Sequence, residues 1–268
     1  MRFRLTLNNP TSATLIDWNH QYPLMSWLYK KLDDADPEYA RFLHQEGYQS
    51  TENAKKFKFM TFSPFHFNSG KNEYKIDKEI GMIIYARNFY LDLSFYMPKA
   101  AESFILGVFR DQLLNIFNDR FRAEFPIIQI STLPEPEFRP EMIYKAVGPM
   151  NISLKREGKQ DEYIRPDHPE FGKLLAINLS DKYFNATGHR VEPEAIKYEL
   201  LTEATKIKSR KVAIKEYSRQ ETQIKGFYDF EFKLTTPIEV QKCGYYSGFG
   251  RYNVEGMGFC VIYKNPKI

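Results

Sequence analysis

The residues whose spacing most suggests chemistry are glycines. Near the C-terminus the chain reads Gly248-Phe249-Gly250-Arg251-Tyr252-Asn253-Val254-Glu255-Gly256-Met257-Gly258, two Gly-apolar-Gly units separated by five residues. Gly244 precedes them, so five of the 14 glycines fall within 15 residues. Glycine admits positive φ and close backbone approach, and a run of exposed N–H groups can then face phosphate oxygens. Arg251 adds positive charge, and Tyr245, Tyr246 and Tyr252 add faces on which a base can stack. A tight hairpin without a ligand is the competing reading. A dinucleotide fingerprint does not fit: it needs Gly-x-Gly-x-x-Gly ahead of a long helix, and ten residues remain after Gly258.

A second cluster is basic. Lys206, Lys208, Arg210, Lys211 and Lys215 lie on a strand predicted over 203–215, and alternation puts Lys206, Lys208 and Arg210 on one face. Such a stripe can follow a phosphate backbone; a solvated edge strand guarded by lysines is the alternative. The histidines are His20, His44, His66, His168 and His189, and none joins a Cys or acidic residue at metal-ligand spacing. No metal and no cofactor is expected.

These groups need elements to hold them. Residues 2–8 alternate Phe3, Leu5 and Leu7 against Arg2, Arg4 and Thr6, the period of a half-buried strand. Helices are predicted at 22–33 and from Asp36-Pro37 to about Glu46, stopping at Gly47. A strand is expected over 55–62, a polar loop over 66–78, and strands near 79–86 and 89–96. Pro98 opens a long helix with a stripe of Ile105, Val108, Phe109, Leu113, Ile116 and Phe117, and a strand near 126–133 closes the unit. Pro134, Pro136 and Pro140 then mark a linker. Beyond it come strand 142–155, helix 168–185, long strands 203–215 and 222–235, a short helix 237–242 and a final strand 257–263. Both halves read β-α-β-β-α-β, so the expected fold is α+β with two tandem ferredoxin-like domains, 1–135 and 141–268.

The glycine string resembles the glycine-rich loop of the repeat-associated RNA-binding proteins of CRISPR systems. Within that superfamily the chain looks most like the Cas-six family of CRISPR repeat-processing endoribonucleases, matching its pattern at Gly248, Gly250, Gly256 and Gly258 just before the last strand. The stretch Trp18-Asn19-His20-Gln21-Tyr22-Pro23-Leu24 resembles the entry to that family's first helix. The resemblance implies a catalytic set of Tyr29 on that helix, His44 of Leu43-His44 at the end of the next, and Lys58 before Phe59-Met60-Thr61-Phe62. His20 is read as a cap or structural residue.

The chemistry explains such a set. RNA carries its own nucleophile, the 2′-hydroxyl beside the scissile phosphate. One group must take its proton, another must protonate the departing 5′-oxygen, and a cation can stabilise charge on the phosphorane-like transition state. Imidazole titrates near neutrality, so His44 is the acid–base candidate. A helix C-terminus favours a positive charge by about 0.3–1 kcal/mol, which leans it towards general acid. Tyr29 can hold or deprotonate the 2′-hydroxyl, and Lys58 supplies the cation. The expected reaction is metal-independent cleavage of CRISPR repeat RNA, leaving a 2′,3′-cyclic phosphate and a 5′-hydroxyl; the alternative is a repeat-RNA-binding subunit that does not cut. Other CRISPR-associated proteins of an interference complex are possible partners.

The totals agree with this without requiring it. The 268 residues carry a net charge of +4, 43% hydrophobic and 16% aromatic residues, which permits a polyanionic partner and demands a packed core. Most of the aromatic rings are expected in that core. Two cysteines, Cys243 and Cys260, are too few for a disulfide framework, and no run approaches the roughly 18 apolar residues of a membrane span. A soluble, cytoplasmic protein is expected.

Overall fold

Alternation in the first strand organises the first half of the molecule. Phe3, Leu5 and Leu7 of β1 (Arg2–Asn8) are buried in the N-terminal core, and Arg2, Arg4 and Thr6 take the opposite face. The structure is a computed structural model and describes residues 1–49, 55–68, 72–77, 79–118, 121–156, 158, 161–214, 219 and 221–264. The chain continues through β2 (Thr14–Ile16), α1 (Gln21–Ala35), α2 (Pro37–Gln45), β3 (Met60–Phe62), β4 (Tyr74–Asp77), β5 (Gly81–Ile84), β6 (Asn88–Phe95), α3 (Pro98–Arg110), β7 (Leu113–Phe117) and β8 (Arg122–Thr132). Asp36 starts α2 by accepting the Tyr39 N–H at 3.0 Å, and Pro37 occupies the first turn. One sheet runs β3-β6-β1-β8-β7 with antiparallel neighbours.

The second half comprises β9 (Glu141–Ala146), β10 (Ser153–Leu154), β11 (Glu162–Tyr163), α4 (Phe171–Thr187), β12 (Lys197–Leu200), β13 (Lys208–Ile214), β14 (Thr222–Tyr228), β15 (Phe230–Thr235), α5 (Ile238–Ser247) and β16 (Cys260–Lys264). Its main sheet runs β12-β15-β9-β16. Set aside the added hairpins, and each sheet reads second, third, first, fourth strand of a βαββαβ unit. The fold is therefore α+β, two tandem ferredoxin-like domains. Among the described residues, no helix is long and apolar enough to cross a membrane.

The domains meet on the polar face of β1. Arg2 is buried there, donating to the carbonyls of Tyr245 (2.6 Å) and Cys260 (2.8 Å), with its guanidinium 3.4 Å from the Tyr245 ring centre. Ser94 donates to the Tyr246 carbonyl at 2.8 Å. A strand that the alternation marked as half-buried is thus covered on both faces at its start, because α5 and the following loop lie across it.

Several expected boundaries move. The helix from Pro98 ends at Arg110, where Asp111 is extended (φ −149°, ψ 100°), and Leu113–Phe117 is strand β7. Leu114 and Ile116 are buried there with period two, leaving Phe109 and Phe117 exposed. The strand over 55–62 shrinks to β3 because Phe59 takes a φ of 54°. The loop over 66–78 contains β4, which pairs with β5. The strand over 142–155 stops at Ala146, and the last strand begins at Cys260. Asp229, at φ 62°, divides the strand over 222–235 into β14, paired with β13, and β15, paired with β9. Ala204–Lys206 is a 3-10 turn, so the strand over 203–215 starts at Lys208.

Candidate active site

Tyr29, His44 and Lys58 gather at the C-terminal end of α2. The Tyr29 and His44 ring centres are 5.3 Å apart at 80°, an edge-on contact between α1 and α2. His44 occupies the last turn of α2 and is exposed. Lys58 reaches beneath that turn, donating from Nζ to the carbonyls of Leu43 and His44, the latter at 3.2 Å. These are carbonyls that a helix end leaves without intrahelical partners. Gly47 opens the route: at φ 68°, a Cβ there would lie 2.9 Å from Lys58 Nζ.

Electrostatics distinguish the three groups. Burial, and then the nearby Glu255 carboxylate, push the Tyr29 phenol well above its ordinary value, so Tyr29 keeps its proton. Burial, and after it the charge of Lys56, lower Lys58 to about 8 against the opposing pull of Glu255. Glu255 is itself pushed up by burial, against its own backbone N–H and Lys58. Its Oε2 is closed off from solvent with no hydrogen-bond partner among the described residues. Glu255 belongs to the five-residue spacer of the glycine string, which sequence reasoning passed over; its type gave no signal, since only the fold brings it to Tyr29 and Lys58.

The glycine loop is locked into the protein. Gly248, Gly250, Gly256 and Gly258 have φ of 86°, 73°, 75° and 73°. A Cβ would come within 2.4 Å of the Asn151 carbonyl oxygen at Gly250, 2.4 Å of the Phe62 ring at Gly256 and 1.9 Å of the Phe249 carbonyl oxygen at Gly258. The Asn253 amide donates to the carbonyls of Phe249 (3.2 Å) and Met257 (3.0 Å). Buried Lys182 donates to the Gly248 carbonyl (2.5 Å) and Asn253 Oδ1 (2.6 Å). Burial lowers its ammonium to about 7, and a neutral amine still has the two N–H groups these acceptors require. Val254 inserts into the N-terminal core, and Thr61 donates to the Met257 carbonyl at 3.0 Å. The spacer, a 3-10 turn over Asn253–Glu255, thereby packs against α1 and β3.

The loop differs from expectation in what its groups face. The N–H groups of Phe249, Arg251, Gly256 and Gly258 bond to carbonyls of the protein. Arg251 pairs with Asp161 at 2.8 Å and also donates to the Ser153 hydroxyl. Tyr245 packs on Arg2 and Phe138. The expected basic face is shorter and its lysines are paired: Lys206 lies in the 3-10 turn ahead of β13 and pairs with Glu203 at 3.1 Å, and Lys208 pairs with Asp229 at 2.8 Å. Arg210 donates to the Trp18 carbonyl and to Gln21 Oε1 at 3.2 Å. Lys215 lies outside the described residues. His20 is buried at the start of α1, stacked on Phe65 and 2.8 Å from the Asp17 carbonyl through Nδ1; it makes no side-chain cap. Among the described residues, no three His, Cys, Asp or Glu side chains are grouped to hold a metal ion.

The family described as CRISPR-associated protein Cas6, N-terminal, matches residues 15–125, and CRISPR associated protein Cas6, C-terminal, matches 133–262. The chain is 28% identical over 266 residues to a CRISPR-associated endoribonuclease Cas6 of Methanocaldococcus jannaschii, covering 97% of this chain and 92% of that one. It is 25% identical over 267 residues to CRISPR-associated endoribonuclease Cas6 of Pyrococcus furiosus, covering 99% and 91%. A solved structure from a Cas6-related gene of Pyrococcus furiosus shares the fold, with a TM-score of 0.81, 20% identity and 98% coverage of both chains.

Proposed function

This chain belongs to the Cas6 family of CRISPR-associated endoribonucleases, and on that premise we propose that it cuts CRISPR repeat RNA without a metal ion, releasing guide RNAs from a precursor transcript. The RNA 2′-hydroxyl gives up its proton to a water molecule as its oxygen attacks the adjacent phosphorus, the bond from phosphorus to the 5′-oxygen breaks, and the departing oxygen takes a proton from His44. The products carry a 2′,3′-cyclic phosphate and a 5′-hydroxyl. His44 moves the proton, as general acid in the simplest scheme. Tyr29, protonated, positions the 2′-hydroxyl or a phosphate oxygen by hydrogen bonding. Lys58 places positive charge beside the helix end where the phosphorane-like charge develops.

The observation that carries this reading is the exposed His44 imidazole held edge-on to Tyr29, with Lys58 under the same helical turn. The engagement of Lys58 with two backbone carbonyls favours a second reading, in which Lys58 only caps α2 and the protein binds repeat RNA without cutting it. A labelled repeat RNA from the same genome, incubated in excess EDTA, separates them. Cutting by the wild type that disappears with a 2′-deoxy nucleotide at the cut supports the proposal. Cutting that requires a divalent ion or survives the deoxy substitution overturns it, and tight binding without cutting establishes the second reading.

A further inference from the structure

One charged group beside Tyr29 and Lys58 has no part in the cleavage scheme. Glu255 comes from the C-terminal domain, on the 3-10 turn Asn253–Glu255 that packs against α1 and β3. Its neighbour Val254 is buried in the N-terminal core, and Gly256 lies so close to the Phe62 ring that a Cβ would come within 2.4 Å of it. The turn is thus anchored on both sides of Glu255, which is held where the N-terminal domain presents Tyr29 and Lys58. Its Oε2 is sealed from solvent and accepts no hydrogen bond from the described residues. A buried acceptor without a partner calls for a functional account. Sealed as it is, this oxygen acts on groups of the protein rather than on RNA.

We infer that Glu255 is a positioning residue for cleavage: from the second domain it supplies the counter-charge that keeps Lys58 an ammonium and so keeps one N–H free for the scissile phosphate. Lys58 Nζ already donates to the carbonyls of Leu43 and His44. A neutral amine has two N–H groups and satisfies both acceptors; only the ammonium has a third to give. Burial and Lys56 work against that proton, and Glu255 works for it. The same carboxylate disfavours the phenolate of Tyr29. The titratable residues around Lys58 are Tyr29 of α1, His44 of α2, Lys56 of its own segment and Glu255 of the other domain. Among these, Glu255 alone is negative. This assignment rests on the RNA-cleaving reading and deepens it: the N-terminal domain carries the reacting groups, and the glycine loop carries the residue that sets their protonation.

The experiment follows single-turnover cutting of a labelled repeat RNA by the full chain in excess EDTA, from pH 6.5 to 9, for wild type, Glu255→Gln, Glu255→Asp, Lys58→Arg and Glu255→Gln with Lys58→Arg. Circular dichroism checks folding. Acetylation of the Lys58 amine, read by mass spectrometry without RNA, reports its protonation separately. The inference expects Glu255→Gln to move both the alkaline fall in rate and the onset of acetylation to lower pH. Cutting then runs about tenfold below wild type at pH 8.5, with the deficit shrinking towards pH 6.5. Glu255→Asp keeps the charge and restores most of the wild-type profile. A guanidinium holds its proton throughout this range, so Glu255→Gln leaves the Lys58→Arg profile where it was. Unmoved cutting by a folded Glu255→Gln chain overturns the inference while sparing the cleavage reading, whether or not acetylation shifts. A rate loss equal at every pH, or one that persists beside Lys58→Arg, overturns it too, as does a Glu255→Gln chain that fails to fold, since each makes Glu255 structural or acting through another group. Absence of cutting by the wild type removes the cleavage reading and this role with it.

Discussion

The glycine loop and the Tyr29–His44–Lys58 cluster adjoin at Glu255, yet they are built in opposite ways. Every glycine of the loop's two units answers to a protein atom: Asn253 at Gly248, Asn151 at Gly250, Phe62 at Gly256 and Phe249 at Gly258. The loop's carbonyls are taken up by Asn253, Lys182 and Thr61. The cluster leaves His44 exposed at a helix end, held by one aromatic contact. A motif that reads as a ligand cradle is therefore first a joint between domains, because close packing alone demands glycine at each position. The exposed His44 carries little of the packing.

Mutations can break that contrast. The largest expected effect is on rate: His44→Ala slows cleavage by about 10²–10⁴-fold, with the unfolding free energy measured in urea changed by less than about 0.5 kcal/mol. A variant that loses stability instead makes His44 part of the joint. Next comes Gly258→Ala, which places a Cβ on the Phe249 carbonyl at positive φ and costs about 3 kcal/mol or more. Gly188→Ala is its control: φ is 75°, no atom lies within 4 Å, and the cost is about 1 kcal/mol. Equal losses in urea denaturation would mean that the loop's glycines serve dihedral freedom alone.

Lys182 tests the joint through pH. Its folded value is about 7, below the ordinary lysine value, so between pH 7 and 8.5 the unfolded chain holds a proton that the folded chain has shed. Stability from this group rises with pH in that window, by at most about 1.4 kcal/mol per unit. Lys182→Met should flatten that slope and lower stability overall. Above that window the buried thiols oppose the trend: burial raises Cys243 to about 12 and Cys260 further. The unfolded chain then loses protons that the folded chain keeps.

Lys58 tests the cluster the same way through rate. With its value at about 8, a cationic role predicts single-turnover cleavage that falls as pH rises through 8, and Lys58→Arg should move that fall to higher pH. An increase through pH 8 would instead make Lys58 the base. The smallest effects belong to Lys206→Glu and Lys208→Glu. Both lysines are already paired, with Glu203 and Asp229, and each change is expected to weaken repeat-RNA binding by only about twofold. A loss of about tenfold would instead support the stripe read from the sequence.

Local patterns carried much of this molecule. Alternation at Phe3, Leu5 and Leu7, the Asp36-Pro37 helix start and the βαββαβ order are consequences of period and capping, which neighbouring residues decide among themselves. The glycine spacing and the Leu43-His44 helix end were likewise legible as strings. What the string could not carry was anything decided by a partner distant in the chain. The stripe through Phe117 failed because Leu113–Phe117 pairs with β8. Lys58 falls outside the strand expected over 55–62, because Phe59 turns to positive φ, and its ammonium finds the end of α2. Arg210 finds its partner in the Trp18 carbonyl, 192 residues away. Glu255 meets Tyr29 and Lys58 only because the two domains are pressed together, and Lys182 meets the glycine loop because α4 packs beside α5. Burial and charge pairing are properties of that contact, so the pKa values that define the site belong to the tertiary structure.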